Sequence, residues 1–149
     1  MIVRGLAGWH LGRPRPPGYD RTVQDLRSTP IRIDADRAAG TVRLEWADGH
    51  LTEYDTHRLR WLCPCAYCRG EAGMPGWLDS NPTLTPDQTR LVGVSLVGNY
   101  AIQPSWGDGH STGFHTFVLL RDLCPCADCT RHREQQHAAD GPHARGGVR

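Results

Sequence analysis

Apolar and polar residues alternate in two separate stretches of the chain, and each alternation is followed by a short run with helical spacing. Ile31 and Ile33 flank Arg32, and Val42, Leu44 and Trp46 alternate with Arg43 and Glu45, the pattern of strands with one buried face. Asp48-Gly49 then predicts a tight type I′ hairpin turn, with Leu51 to Tyr54 as the returning strand. Asp55 or Thr56 can cap a helix over His57 to Leu62 that turns Leu59 and Leu62 inward, and Pro64 ends it. Residues 69–85, rich in Gly, Pro, Asn and Ser, read as a long loop with a helical turn starting at Thr85-Pro86. The pattern then resumes. Leu91 to Val97 suits a buried strand, Gly98-Asn99 a turn, and Tyr100, Ile102 and Trp106 a further strand in which Pro104 calls for an edge or a bulge. Asp108-Gly109 makes the second hairpin, Phe114 takes the place of Tyr54, and Thr116 to Leu123 form the second short helix. On this pattern Trp46, Tyr54, Trp106 and Phe114 are core residues.

These two stretches are one phrase written twice. Trp46, Asp48, Gly49, His50 and Thr52 match Trp106, Asp108, Gly109, His110 and Thr112 at an offset of 60. After one inserted residue, Arg60, Leu62, Cys63, Pro64, Cys65, Ala66 and Cys68 match Arg121, Leu123, Cys124, Pro125, Cys126, Ala127 and Cys129 at an offset of 61. So many identities in register with one gap indicate an internal duplication of a small supersecondary unit. The expected fold class is α+β, a small antiparallel sheet from two duplicated hairpin-helix units.

Length and composition narrow the picture. A chain of 149 residues suits one domain, and an apolar fraction of 38% with 17 Gly and 11 Pro leaves room for unstructured ends. Residues 1–28, containing Gly12-Arg-Pro-Arg-Pro-Pro-Gly18, are expected to be a flexible leader, 29–129 the domain, and 130–149 a disordered basic tail. No apolar run approaches the ~18–20 residues of a membrane span, and no signal-peptide stretch opens the chain, so a cytoplasmic protein is expected. Lysine is absent. Five Arg against two acids in 1–28, and four against two in 130–149, leave eight Arg against twelve acids between them. An acidic centre with basic ends argues against a nucleic-acid-binding domain.

All six cysteines lie in the duplicated phrase. Thiols at i, i+2 and i+5 around a proline converge without help from distant chain, which suits zinc or an iron-sulfur cluster completed by a fourth ligand. A disulfide fits a reducing compartment poorly, and a redox pair Cys65-x-x-Cys68 leaves Cys63 unexplained. His50 and His110 follow Asp-Gly at a hairpin corner. They either cap the turn and pack beside the tryptophan or serve as the missing ligand, and their recurrence beside three cysteines favours the second role for at least one. Arg60 and Arg121 are read as solvated helix-surface residues, with an anion or a partner as the alternative. His10, His57, His115, His132, His137 and His143 have no such context.

The text Val42-Arg-Leu-Glu-Trp-Ala-Asp-Gly-His50, Leu59-Arg-Trp-Leu-Cys-Pro-Cys-Ala-Tyr-Cys-Arg69, Val97-Gly-Asn-Tyr-Ala-Ile102, Trp106-Gly-Asp-Gly-His110 and Leu120-Arg-Asp-Leu-Cys124 resembles the gamma-butyrobetaine hydroxylase-like N-terminal domain family, also called DUF971. The resemblance covers about residues 30–124. It implies a zinc-stabilised α+β domain whose ion is held by Cys63, Cys65, Cys68 and His110, thiolates from the first copy and imidazole from the second. It also implies settings: a module preceding the catalytic domain of carnitine-synthesis dioxygenases, or one attached to an ATPase of iron-sulfur cluster assembly. Members usually end the second copy with a single cysteine, whereas this chain has three. Pseudo-symmetry then suggests a second site of Cys124, Cys126, Cys129 and His50, with His132 or His137 as substitutes for His50, or a cluster that carries metal transiently.

Two functions follow as expectations. One is a non-catalytic zinc-binding accessory or interaction domain, since four protein ligands leave no open position for substrate. The other is an iron-sulfur assembly or electron-transfer factor using the second cysteine trio. Either implies a protein partner, such as iron-sulfur assembly machinery or an oxidoreductase, and no membrane. An oxygenase is not expected, because that chemistry needs a larger barrel around a two-His-one-carboxylate iron site, and His132-Arg-Glu134 stands in the tail without one.

Overall fold

The strongest alternation in the sequence becomes the middle strand of a sheet. In the computed structural model, which describes residues 25–139, β1 (Pro30–Asp36), β2 (Thr41–Trp46) and β3 (Leu51–Asp55) form a three-stranded antiparallel sheet in that order. Val42, Leu44 and Trp46 are fully buried and Arg43 and Glu45 exposed, as a half-buried strand requires. Val42 faces Tyr54 and Leu44 faces Thr52 across β2 and β3. The Asp55 carboxylate accepts the Arg58 amide at 2.7 Å and starts α1 (Thr56–Trp61), which buries Leu59.

The connecting stretch holds α2 (Ala66–Arg69), the two-residue strands β4 (Gly70–Glu71) and β5 (Met74–Pro75), a 3-10 turn at Trp77–Ser80 and α3 (Pro86–Thr89). It is more structured than the long loop expected of it, because Leu78 is buried against Cys63 and Cys68, with Trp77 and Leu84 alongside. The helical turn at Pro86 forms as expected, with a reciprocal cap between Thr85 and Gln88.

The order then recurs. β6 (Leu91–Val97), β7 (Ala101–Trp106) and β8 (His115–Thr116) make a second three-stranded antiparallel sheet. Thr116 caps α4 (Phe117–Asp122) by accepting the Leu119 amide at 3.2 Å. β8 pairs only with Ala101 and Ile102, so β7 is an edge strand where Pro104 stands. Both halves pour into one core of Val42, Leu44, Trp46, Tyr54, Leu59, Leu91, Ile102, Trp106, Phe117 and Leu120. At about 1.5–3 kcal/mol for each fully buried large apolar side chain, this shared core holds the halves together.

Several expectations are corrected. Neither hairpin is a two-residue type I′ turn. Trp46 accepts the Gly49 amide and donates to His50, and only Gly49, at φ 83°, has positive φ, so the loop is Ala47-Asp48-Gly49, a type I turn closed by a glycine bulge. Gly107-Asp108-Gly109 repeats it between Trp106 and His110, with Gly109 at φ 84°. Phe114 is not in the core; it is 45% exposed. His115 takes the buried place instead, facing Ile102 as Tyr54 faces Val42, because the inserted residue falls before it. β6 is a strand, yet Val92 and Leu96 are exposed. The expected disordered tail begins as a helix, α5 (Ala127–Ala139), anchored where the Arg133 guanidinium donates to the Asp122 carbonyl at 2.8 Å. Residues 1–24 of the expected leader and 140–149 of the tail lie outside the described residues. Among the described residues no helix is long and apolar enough to cross a membrane.

Candidate metal centres

The hairpins and the helix ends build two pockets. After α1 and Pro64, Cys63 is buried and Cys65 begins α2, whose first turn brings Cys68 back beside it; the Cys68 and Arg69 amides donate to the Cys65 carbonyl at 3.0 and 2.9 Å. His110 arrives from the second hairpin. Its Nε2 lies 3.3 Å from Cys63 Sγ, 3.6 Å from Cys65 Sγ and 3.8 Å from Cys68 Sγ, and Cys63 and Cys65 sulfurs are 3.6 Å apart. The mirror arrangement lies at the other end. His50 Nε2, from the first hairpin, is 3.2 Å from Cys124 Sγ and 3.7 Å from both Cys126 Sγ and Cys129 Sγ. In each group the four donor atoms lie within 4.8 Å of one another, and all six cysteines are free of disulfides.

Those distances can be compared with what an ion would need. Zinc–sulfur bonds of about 2.3 Å and zinc–nitrogen bonds of about 2.0–2.1 Å in a tetrahedron imply S···S edges of about 3.8 Å and S···N edges of about 3.6 Å. The donor set and the observed spacings fit a single tetrahedral ion in each pocket. The eight residues expected at the two sites are therefore brought together, each histidine with the cysteines of the other half. His132 and His137 do not replace His50 in the cluster.

The hairpin aspartates and two arginines complete the surroundings. Arg60, expected at the helix surface, is 1% exposed; its Nη1 donates to Cys68 Sγ at 3.2 Å and its Nη2 pairs with Asp108 Oδ2 at 3.5 Å. Arg121 is also buried, donating to Cys129 Sγ at 3.3 Å and to Asp48 Oδ2 at 3.1 Å. Each aspartate spends its other oxygen on the amide of the site histidine, His110 or His50, at 3.0 Å. The Arg60 guanidinium lies over the Trp77 and Trp106 rings, 5.6 and 5.9 Å from their centroids. Sequence reasoning missed this role for Arg60 and Arg121, although their recurrence at the offset of the cysteines was the signal for it.

Proton affinities follow from these contacts. Burial pushes the Cys63 thiol up to about 12, and raises Cys68 and Cys124 as well. Burial opposes ionisation of Cys65 too, but the Thr112 hydroxyl, the Cys68 amide and the neighbouring sulfurs outweigh it and lower that thiol. Cys126 is lowered in the same way: burial is again the largest single influence and opposes ionisation, and the Cys129 amide and the neighbouring sulfurs together outweigh it. Burial first, then the charge of Arg60 or Arg121, lowers His110 and His50, so both imidazoles are neutral at pH 7, the form that binds metal. Each site thus joins one sulfur whose ionisation its neighbours favour, Cys65 or Cys126, to buried thiols whose ionisation burial opposes, Cys63 and Cys68 in the first and Cys124 in the second.

A family model described as gamma-butyrobetaine hydroxylase-like, N-terminal, matches residues 33–120, a span that includes the first pocket and His50 but stops short of Cys124. The crystal structure of a protein of unknown function of the DUF971 family from Acidithiobacillus ferrooxidans is 31% identical, covering 68% of this chain and 99% of that one, with a TM-score of 0.52. An NMR solution structure 21% identical, covering 85% of this chain and 89% of the other at a TM-score of 0.50, shares the fold. Among curated proteins none matches the sequence.

Proposed function

The chain belongs to the gamma-butyrobetaine hydroxylase-like N-terminal family, and from that membership and the two pockets we propose a non-catalytic, zinc-binding accessory module that serves a protein partner. The observation that carries the reading is the approach of one imidazole nitrogen to three sulfurs, at 3.3–3.8 Å in one pocket and 3.2–3.7 Å in the other. Cys63, Cys65, Cys68 and His110 would hold one ion, and Cys124, Cys126, Cys129 and His50 the other. A bound zinc supplies cross-linking between chain segments, so its binding free energy becomes folding free energy.

The residues around each pocket serve the same end. Three thiolates and a neutral imidazole around a divalent ion carry one net negative charge, and Arg60 or Arg121 stands ready to offset it. Four protein ligands leave no position for substrate, which supports structure over catalysis. We read the recurrence of the pockets as the outcome of a duplicated hairpin-helix unit. An iron-sulfur cluster would spread its cysteines over separate irons around bridging sulfide. Donor atoms all within 4.8 Å suit one ion better.

The test is elemental analysis with an absorption spectrum on protein purified without oxygen. Two zinc ions per chain and no visible absorption are expected. Iron with acid-labile sulfide would overturn the reading in favour of the iron-sulfur alternative.

A further inference from the structure

The two pockets share a donor set but not a setting. Around the first, Trp61, Trp77 and Leu84 pack on the buried cluster of Cys63, Cys68 and Leu78, and the Tyr67 ring stacks on Trp77 at 6.1 Å, 6.2 Å from the His110 ring. The chain leaves Cys68 by turning at Gly70, φ 81°, where a Cβ would sit 2.7 Å from the Gly76 amide nitrogen. Among the described residues nothing comparable closes the second. There Cys129 is only partly buried, and both it and His50 line an open cavity of about 660 Å³.

The wall of that cavity has a chemical direction. Cys129, His132, Arg133, Gln136 and His137 all line it. Their spacing, i, i+3, i+4, i+7 and i+8, is one face of a helix. α5 therefore starts with a thiol of the pocket and carries two imidazoles away from it along the same cavity, at about 4.5 and 12 Å of axial rise. Imidazole and thiolate are both ligands for borderline divalent ions. His132 and His137 take no part in the cluster, and among the described residues neither ring has a hydrogen-bond or ion-pair partner.

We propose that the second pocket is an exchange site for a borderline divalent transition ion such as zinc, with His132 and His137 as its entry and exit ligands, while the first pocket keeps its ion. This rests on the reading of both pockets as metal sites. The step is ligand substitution alone: a metal–sulfur bond is replaced by a metal–nitrogen bond to His132, the freed thiolate takes a proton from water, and the ion keeps its oxidation state. His137, further along the same helix and lining the same cavity, would offer the ion a further nitrogen, and entry would run in reverse.

The experiment uses the full chain loaded with zinc and challenged with excess of a chromogenic chelator, 4-(2-pyridylazo)resorcinol. Two phases of equal amplitude are expected, with the fast phase absent in Cys126→Ser and kept in Cys65→Ser. His132→Ala/His137→Ala, two exposed positions, should slow the fast phase on the order of tenfold while the chain still holds two ions. Release of both ions at one rate, a fast phase that survives Cys126→Ser, or an unchanged fast rate in the double histidine variant would overturn the proposal. A loaded chain that holds fewer than two ions before the chelator is added would instead overturn the reading of the pockets themselves.

Discussion

Arg60 and Arg121 show how much one side chain can organise. Each buries a guanidinium between a cysteine sulfur of its own half and a hairpin aspartate of the other. Losing such a partner of a metal ligand typically costs 10–100-fold in affinity. Arg60→Met should therefore weaken zinc at the first pocket by about that factor in a chelator competition and leave the second unchanged, and Arg121→Met should do the reverse. Unchanged affinity in both would contradict the role. His115 makes a different demand. Burial foremost, with the charge of Arg60 adding to it, lowers its pKa to about 4 despite the Leu59 carbonyl 3.0 Å from Nε2. An unfolded histidine titrates near 6.5, so below that pH the unfolded chain takes up a proton that the folded one refuses. The neutral ring contributes its full stability above pH 6.5 and loses it progressively as pH falls towards 4, about 3 kcal/mol in all. NMR titration of the imidazole should give a midpoint near 4, and one near 6.5 would contradict the burial. Neither role was legible residue by residue. Arginine is mostly exposed and histidine intermediate by habit, and long-range partners decide the burial of both here.

At the scale of elements, the hairpins are the devices that deliver the histidines. Gly49 and Gly109 supply the left-handed residue each loop needs, with open space where a Cβ would go. Gly109→Ala should thus cost only the backbone preference, about 1 kcal/mol in thermal denaturation, and keep both ions. Gly113→Ala should act differently, because its Cβ would lie 2.5 Å from Cys63 Sγ; metal affinity at the first pocket should fall, with the second intact. Equal effects of the two substitutions would contradict this division. Much of this level was readable beforehand. The alternation of Val42, Leu44 and Trp46, a cap at Asp55 or Thr56, and the stop at Pro64 are local signals, and the elements follow them, with Asp55 as the cap; Thr116, read as the first residue of the second helix, is its cap instead. Turn type was not readable, since the Ala47-Asp48-Gly49 loop follows from the Trp46–His50 pairing and an aspartate held by Arg121 from the other half. α5 was missed because Ala127–Ala139 has no apolar stripe, the usual mark of a helix packed on a core.

In the whole molecule, a set of distinctive contacts is exchanged between the halves. His110 meets the first cysteine trio and His50 the second. Arg60 reaches Asp108 and Arg121 reaches Asp48. The Tyr54 hydroxyl donates to the Leu120 carbonyl at 2.7 Å, as His115 Nε2 approaches that of Leu59. Such reciprocity is what an isologous interface between two like units looks like. The repeat in the sequence announced the eight donors, and the family resemblance with its pseudo-symmetry gave their pairing across the halves; what the sequence did not show is the packing of both sheets on one core that brings each set together. The account therefore makes each ion a clamp between halves, and removing one histidine should cost one ion while sparing the other. The most direct measurement is native mass spectrometry of the intact chain beside His50→Ala and His110→Ala. Two zinc ions in the parent and one in each variant, with Cys126→Ser sharing the loss of His50→Ala and Cys65→Ser that of His110→Ala, is the predicted result. One ion in the parent, or a histidine variant that loses the ion of its own half's cysteines, would contradict the reciprocal sites.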